Sequence, residues 1–239
     1  MQAFILAAGL GTRLKPFTDF HPKPMAVVQG KPLLQHNIEK LKRAGYSKLI
    51  INLHSMPEQI IEFLKLHDNF GLDITYRIEQ DLLETGGGLR NIEDLIDSSK
   101  PITILNADIL SNIDLIKMNT AYQASDCTAL LAVQNRDSNR KLLFDDNLQL
   151  IGWKSIQPSN YKPDSINKES QYTELAFSGI QIIDMKILNG SLLKGKFSLI
   201  DLYLEQCKNH VIKAYPHDKD YLLDIGTPEK LQNAQQVAL

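Results

Sequence analysis

"MQAFILAAGLGTRLKPFTDFHPKPM" fills residues 1–25. A strand-like apolar run, Ala3 to Leu6, empties into Ala7, Ala8, Gly9, Leu10 and Gly11, and Thr12 and Arg13 follow. Lys23 then stands between Pro22 and Pro24. Small residues let backbone N–H groups approach phosphate oxygens, and a guanidinium beside them can fork onto the same oxygens. A lysine on a proline-stiffened segment is a fixed positive point, useful where negative charge develops. The stretch therefore asks for a polyanion at the end of a first buried strand. Gly9-Leu10-Gly11 alone fits a plain strand and turn equally well; Arg13 tips the balance. The loop is not a dinucleotide fingerprint, because Leu14 stands where a third glycine belongs and no acid follows at the end of the second strand. Nor is it a Walker A loop, since no Gly-Lys-Ser/Thr follows.

Outward from that strand, apolar periodicity alternates between two and 3.6 residues. "LLQHNIEKLKRAG" carries Leu34, Ile38 and Leu41 on one helical face, with Gly45 as a stop. "KLIINL", "DITYRI", "ITILNAD" and "CTALLAV" read as strands, and "PEQIIEFLKLH" and "NIDLIKMNTAYQ" as helices between them. "LRNIEDLI" is expected as a short helix after Gly86, Gly87 and Gly88, a run whose entropic penalty suggests close approach to a ligand. Repeated β-α-β units predict an α/β fold, a mainly parallel sheet with helices on both faces and ligands at the carboxyl ends of strands. After Val133 the texture changes. "KLLFDDNLQLIGW" predicts a hairpin turning at Asp145-Asp146-Asn147, residues 154–172 a polar loop, "ELAFSGIQII" a strand, and "TPEKLQNAQQVAL" a helix capped by Thr227.

The 239 residues carry a formal charge of −2, so any anion is recognised locally and nothing points to nucleic acid or a membrane surface. Cys127 and Cys207 form no CxxC and read as thiols of a reducing compartment. With no leader-like segment and no membrane-length apolar run, a cytoplasmic location is expected. Asp108 and Asp224 each end a predicted strand more than a hundred residues apart; spacing alone leaves caps or solvated turns open for both.

Taken together, "ILAAGLGTRLKP…HPKPM", "ETGGG" at 84–88, "NAD" at 106–108, "FSGI" at 177–180 and "DIGTPE" at 224–229 resemble the sugar-phosphate nucleotidyltransferases in motif and order. The resemblance covers essentially the whole chain. It implies a Rossmann-like mixed sheet, the nucleotidyltransferase fold, with a small sugar-facing β extension. One domain, 1–239, would hold a nucleotide-binding half, 1–133, and a sugar-binding half, 134–239. It implies an NTP and a sugar 1-phosphate as substrates. Ala7, Ala8, Gly9, Gly11, Thr12, Glu84, Thr85 and Gly86 would line the nucleotide. Arg13 and Lys23 would act on phosphates, Asn106 and Gly179 would face the sugar, and Asp108 and Asp224 would hold one Mg²⁺. Asp114 and Asp201 are the less favoured ligands.

Within the family, the short chain and the "LETGGG" variant resemble members that use UTP and N-acetylmuramate α-1-phosphate. Guanylyltransferases of mannose or heptose phosphates, or a cytidylyltransferase, are the near alternatives, and a silent nucleotide-sugar sensor a more distant one. The E-K-P element and left-handed β-helix tail of longer members are not visible. Arg136, Arg140 and Lys141 follow a predicted strand where a sugar carboxylate could lie, although cations there also suit a solvated turn.

Overall fold

The protein is described from a computed structural model that covers residues 1–167 and 171–237. In chain order the first half contains β1 (Gln2–Leu6), β2 (Val27–Val28), β3 (Lys31–Pro32), α1 (Leu33–Arg43), β4 (Lys48–Leu53), α2 (Pro57–Leu66), β5 (Asp73–Ile78), α3 (Glu84–Arg90), β6 (Ile102–Asn106), β7 (Ile109–Ser111), α4 (Leu115–Gln123) and β8 (Ala129–Gln134). The second half adds β9 (Arg140–Phe144), β10 (Leu150–Ser155), β11 (Asn160–Lys162), β12 (Thr173–Ile183), α5 (Leu199–Gln206), β13 (Ile212–Pro216), β14 (Leu222–Asp224) and α6 (Pro228–Ala234).

One mixed sheet runs through both halves, in the order β11-β10-β9-β12-β6-β1-β4-β5, with β8 paired to β12 and β13 to β8. Its centre is parallel: β1 pairs β4 and β6, and β4 pairs β5. β12 then enters antiparallel to β6, β8 and β9, and the hairpin β9-β10 with β11 forms the small extension.

Alternation along β1 explains why both faces are covered. Ala3 and Ile5 join a core with Leu34, Ile38 and Leu41 of α1, Ile60 and Leu64 of α2, and Met118 of α4. Phe4 points the other way, into a core with Leu89 of α3 and Leu199, Leu202 and Tyr203 of α5. A third cluster forms where Ile225 and Ala234, near the end of the chain, pack on Leu14, Ala26 and Val28. That contact returns β14 to the first half of the chain, where it pairs with β7.

The glycine run departs from its expected position. Gly86, Gly87 and Gly88 lie inside α3 and are buried, so the helix begins before them. A methyl on Gly86 would sit 2.4 Å from the Phe197 ring, and one on Gly87 2.1 Å from the Gly195 carbonyl oxygen. The backbone N–H groups of Gly86 and Gly87 both donate to the Phe197 carbonyl, at 2.9 and 3.0 Å. The close approach inferred from the glycines is therefore to the chain leading into α5. The polar stretch after Lys154 also contains a short strand, β11, on the edge of the hairpin, while residues 168–170 of that stretch fall outside the described ones.

Candidate active site

The carboxyl end of β1 opens a cleft of about 440 Å³. Ala7, Ala8, Gly9, Leu10, Gly11 and Thr12 line it, together with Lys23 and Asp108. Gly11 adopts φ +61° and is close-packed: a methyl there would meet Lys23 Cβ and Thr18 Cγ2, each at 2.9 Å. Only glycine serves at such a position. The Gly9 position faces open space, so its missing side chain widens the cleft. Lys23, on a short turn after Pro22, pairs through Nζ with Asp108 Oδ2, largely shielded from water.

The backbones of Asp108 and Asp224 lie side by side, although Asp108 lines the cleft and Asp224 lines neither cavity. Asp224 pairs in register with Ile109, and the Ile225 N–H donates to the Asp108 carbonyl at 2.9 Å. The Asp224 carboxylate pairs with Lys230 at 3.0 Å through Oδ2. Arg13 is exposed and does not line the cleft; it lies across Gly226 from Asp224, with Arg13 Nη2 and Asp224 Oδ1 each 3.2 Å from where a Gly226 Cβ would stand. Among the described residues no three His, Cys, Asp or Glu side chains gather as a metal cluster. Asp114 is instead the N-cap of α4, accepting from the Ile116 and Lys117 N–H groups at 3.0 Å.

Below the loop sits a polar network that the motifs did not reveal. Asn52 Oδ1 accepts from the Ala7 N–H at 2.8 Å, and its Nδ2 donates to Glu79 Oε1 at 2.8 Å. Glu79 Oε2 accepts from the Leu83 N–H at 3.3 Å. Asn52 and Glu79 are buried and both line the cleft. Their trace in the sequence is one polar residue inside the otherwise apolar run "KLIINL". Gly88 leaves room for them, since a methyl there would be 3.0 Å from each. Lys196 also lines the cleft, 3.9 Å from Glu84.

A second cavity, about 650 Å³, shares Glu84, Thr85 and Asn106 with the first. Glu84 holds φ +60°, an uncommon conformation for a non-glycine residue. Asn106 ends β6 beside Gly179, whose φ of +73° marks the bulge in β12; a methyl on Gly179 would be 2.9 Å from Asn106 Nδ2. Gly179 thus makes room for Asn106 and lines neither cavity, and Gly86 lines neither.

The second cavity's walls come from β9, β10, β11, β12 and α5: Arg140, Lys141, Trp153, Lys162, Gln181 and Asp201 among them. Lys162 stands 5.7 Å over the Trp153 ring and bonds Asp201 Oδ1 at 2.9 Å. Burial alone would raise the Asp201 carboxyl, yet hydrogen bonds from Ser198 and Lys162 carry it below its usual range. Lys141 is held by the Arg136 carbonyl at 2.5 Å. Arg136 turns away to the Phe177 carbonyl at 3.0 Å, and burial lowers its guanidinium from the usual value. The Arg140 side chain has no hydrogen-bond or ion-pair partner among the described residues. Of the expected cations, Arg140 and Lys141 reach this cavity and Arg136 does not.

A nucleotidyl transferase family model matches residues 2–142. The D-glycero-alpha-D-manno-heptose 1-phosphate guanylyltransferase of Campylobacter jejuni is 34% identical over 230 residues, 96% of each chain. The N-acetylmuramate alpha-1-phosphate uridylyltransferase of Neisseria meningitidis is 29% identical over 245 residues, 100% of this chain and 98% of that one. Among solved structures, HddC from Yersinia pseudotuberculosis complexed with GMP-PN superposes with a TM-score of 0.77 at 26% identity, covering 98% of both chains. A UDP-glucose pyrophosphorylase complexed with UDP-glucose shares the fold, with a TM-score of 0.79 at 22% identity over 98% of this chain and 96% of that one.

Proposed function

The chain belongs to the nucleotidyl transferase family and is a sugar-1-phosphate nucleotidyltransferase, and from that premise we propose that it transfers a uridylyl group from UTP to N-acetylmuramate α-1-phosphate. On this reading UTP lies in the first cleft and the sugar phosphate in the second. An oxygen of the sugar phosphate attacks the α-phosphorus, a new P–O bond forms, and the bond to the β-phosphate oxygen breaks as pyrophosphate leaves. The nucleophile is already anionic, so the protein needs no general base and acts by position and charge.

On this reading Lys23, which lines the first cleft, meets both the α-phosphate and the incoming phosphate. Its pairing with Asp108 keeps the ammonium oriented while the cleft is empty of charge. Arg13, exposed beside Gly226 and outside the cleft lining, would have to swing inward to grip the departing phosphates. The Asn52–Glu79 network holds the Ala7 N–H and the Leu83 turn, fixing the two loops that enclose the nucleotide.

Asp108 and Asp224 suit one Mg²⁺, an ion that takes one or two carboxylates and fills its remaining positions with waters and phosphate oxygens. Asp224 ends β14, which pairs with β7 just after Asp108, and each lysine contact engages only Oδ2. When bound, the ion would neutralise charge on the phosphoryl oxygens.

The observation that carries the choice of sugar is the second cavity's cationic rim. Lys162 is committed to Asp201 and Lys141 to a carbonyl, which leaves Arg140 for a ligand anion. N-acetylmuramate has a carboxylate beyond its phosphate, and mannose, heptose and N-acetylglucosamine do not. The heptose guanylyltransferase relative favours a second reading, GTP with a heptose 1-phosphate. Pyrophosphate release measured as kcat/KM across both nucleotides and these sugar phosphates separates them. UTP with N-acetylmuramate 1-phosphate is expected to be the best pair, and a lead for GTP with heptose 1-phosphate replaces the first reading with the second.

A further inference from the structure

The second cavity contains a side chain that the proposed chemistry leaves unused. Gln181 is fully buried in β12, yet it lines this cavity. Neither its Oε1 nor its Nε2 has a hydrogen-bond partner among the described residues. In register it lies between Ile104 of β6 and Leu131 of β8, and Leu142, Phe177 and Leu199 line the cavity with it. An apolar side chain of the same length would fill this place without the penalty of a buried donor and a buried acceptor left unpaired. A polar group held at that penalty in a cavity wall is a group that a ligand can satisfy, and one that rejects ligands lacking the matching atoms.

We infer that Gln181 reads the acetamido group of a 2-acetamido sugar phosphate. Nε2 donates to the acetyl carbonyl, Oε1 accepts from the acetamido N–H, and the acetyl methyl lies against the apolar side chains of Leu142, Phe177 and Leu199. A secondary amide offers one acceptor and one donor in the spacing a primary amide complements, whereas a C2 hydroxyl offers a single oxygen. The inference deepens the proposed reading and rests on it in one respect, that the second cavity receives the acceptor.

The chain has a single tryptophan, Trp153, and it lines the same cavity, so its fluorescence reports acceptor binding without turnover. The probes are N-acetylglucosamine 1-phosphate and glucose 1-phosphate, which differ only at C2. The wild-type protein is expected to bind the acetamido sugar about tenfold tighter or more. Gln181→Met and Gln181→Leu are expected to bring the two affinities together and to raise the melting temperature, because an unpaired amide leaves the core. Equal wild-type affinities overturn the inference. So does an unchanged ratio in either folded variant, and a lowered melting temperature with that unchanged ratio marks Gln181 as purely structural. The outcome is separable from the choice of reaction. A protein that prefers the acetamido sugar in binding but turns over GTP better than UTP keeps this inference and loses the uridylyl reading. One that uses N-acetylmuramate 1-phosphate with UTP, while Gln181→Met keeps the wild-type ratio, does the reverse.

Discussion

The two cavities are built on different principles. The first is built around one local loop, the small residues between β1 and Lys23, with Asp108 in the turn after β6 and the buried Asn52 and Glu79 beneath it. The second is made of side chains that converge from several strands and α5, with Trp153, Lys162 and Arg140 around the buried amide of Gln181. On the proposed reading, the loop-built site recognises what all of the substrate class shares, phosphate. A side-chain site can change its ligand by substitution while the fold stays the same. The heptose and N-acetylmuramate relatives, each aligned over nearly the whole chain, fit that division.

The largest expected effect tests the first cavity. Lys23→Ala should lower kcat by about 10²–10³-fold, the range for removing one preorganised donor from a developing charge. Asp108→Asn should fall as far, and chelation should abolish turnover until Mg²⁺ is restored. Steady-state assays at saturating UTP and Mg²⁺ check both; near-wild-type rates would assign the catalytic power elsewhere.

A second prediction concerns the wall the cavities share. Gly87→Ala places a methyl 2.1 Å from the Gly195 carbonyl oxygen, so α3 must shift, at about 1–3 kcal/mol in stability. Because Glu84 and Thr85 begin that helix, binding in both cavities should weaken together. Urea titration gives the stability change, and separate titrations of the two substrates show whether the loss is joint.

Arg140→Ala should act on the side-chain cavity alone. About a threefold to tenfold loss in kcat/KM is expected for N-acetylmuramate 1-phosphate, the modest worth of a solvent-exposed charge pair, with little change for N-acetylglucosamine 1-phosphate. The difference should shrink as salt is raised. Equal losses for the two sugars would remove Arg140 from carboxylate recognition.

The smallest effect is a pH dependence next to the β12 bulge. Buried His217 bonds Ser178 Oγ at 2.8 Å. Burial lowers its pKa below the ordinary 6.5, while Asp220 and Asp218 oppose that shift and Lys40 adds to it. The unfolded chain then takes up this proton first as pH falls. The stability contributed by neutral His217 is therefore complete above 6.5 and is lost as the pH drops toward the folded value. Melting temperatures down an acid series should decline less in His217→Gln than in wild type.

The first cavity was legible in the sequence because its parts lie close together in the chain or end strands: Gly11, Lys23 and Asp108 carry their geometry in their neighbours. Asp224 is paired with Asp108 by resemblance alone; the pairing of β14 with β7 brings the two backbones together, while Asp224 lines neither cavity. The glycines of 86–88 signalled close approach correctly but not its object, since what approaches is a segment more than a hundred residues away. The Asn52–Glu79 network and Gln181 stayed hidden for the same cause. A single polar residue in an apolar strand announces a buried partner or ligand, and long-range packing decides which.

Glu84, Thr85 and Asn106 border both cavities, so donor and acceptor would press on one wall from opposite sides. Two substrates held at once in that arrangement react within a ternary complex. Initial-rate plots against one substrate at fixed levels of the other should then intersect rather than run parallel. Isotope exchange between pyrophosphate and UTP should require the sugar phosphate. A single displacement across the wall should also invert the configuration at the transferred phosphorus, so a chiral α-thiotriphosphate would leave as the opposite-handed product.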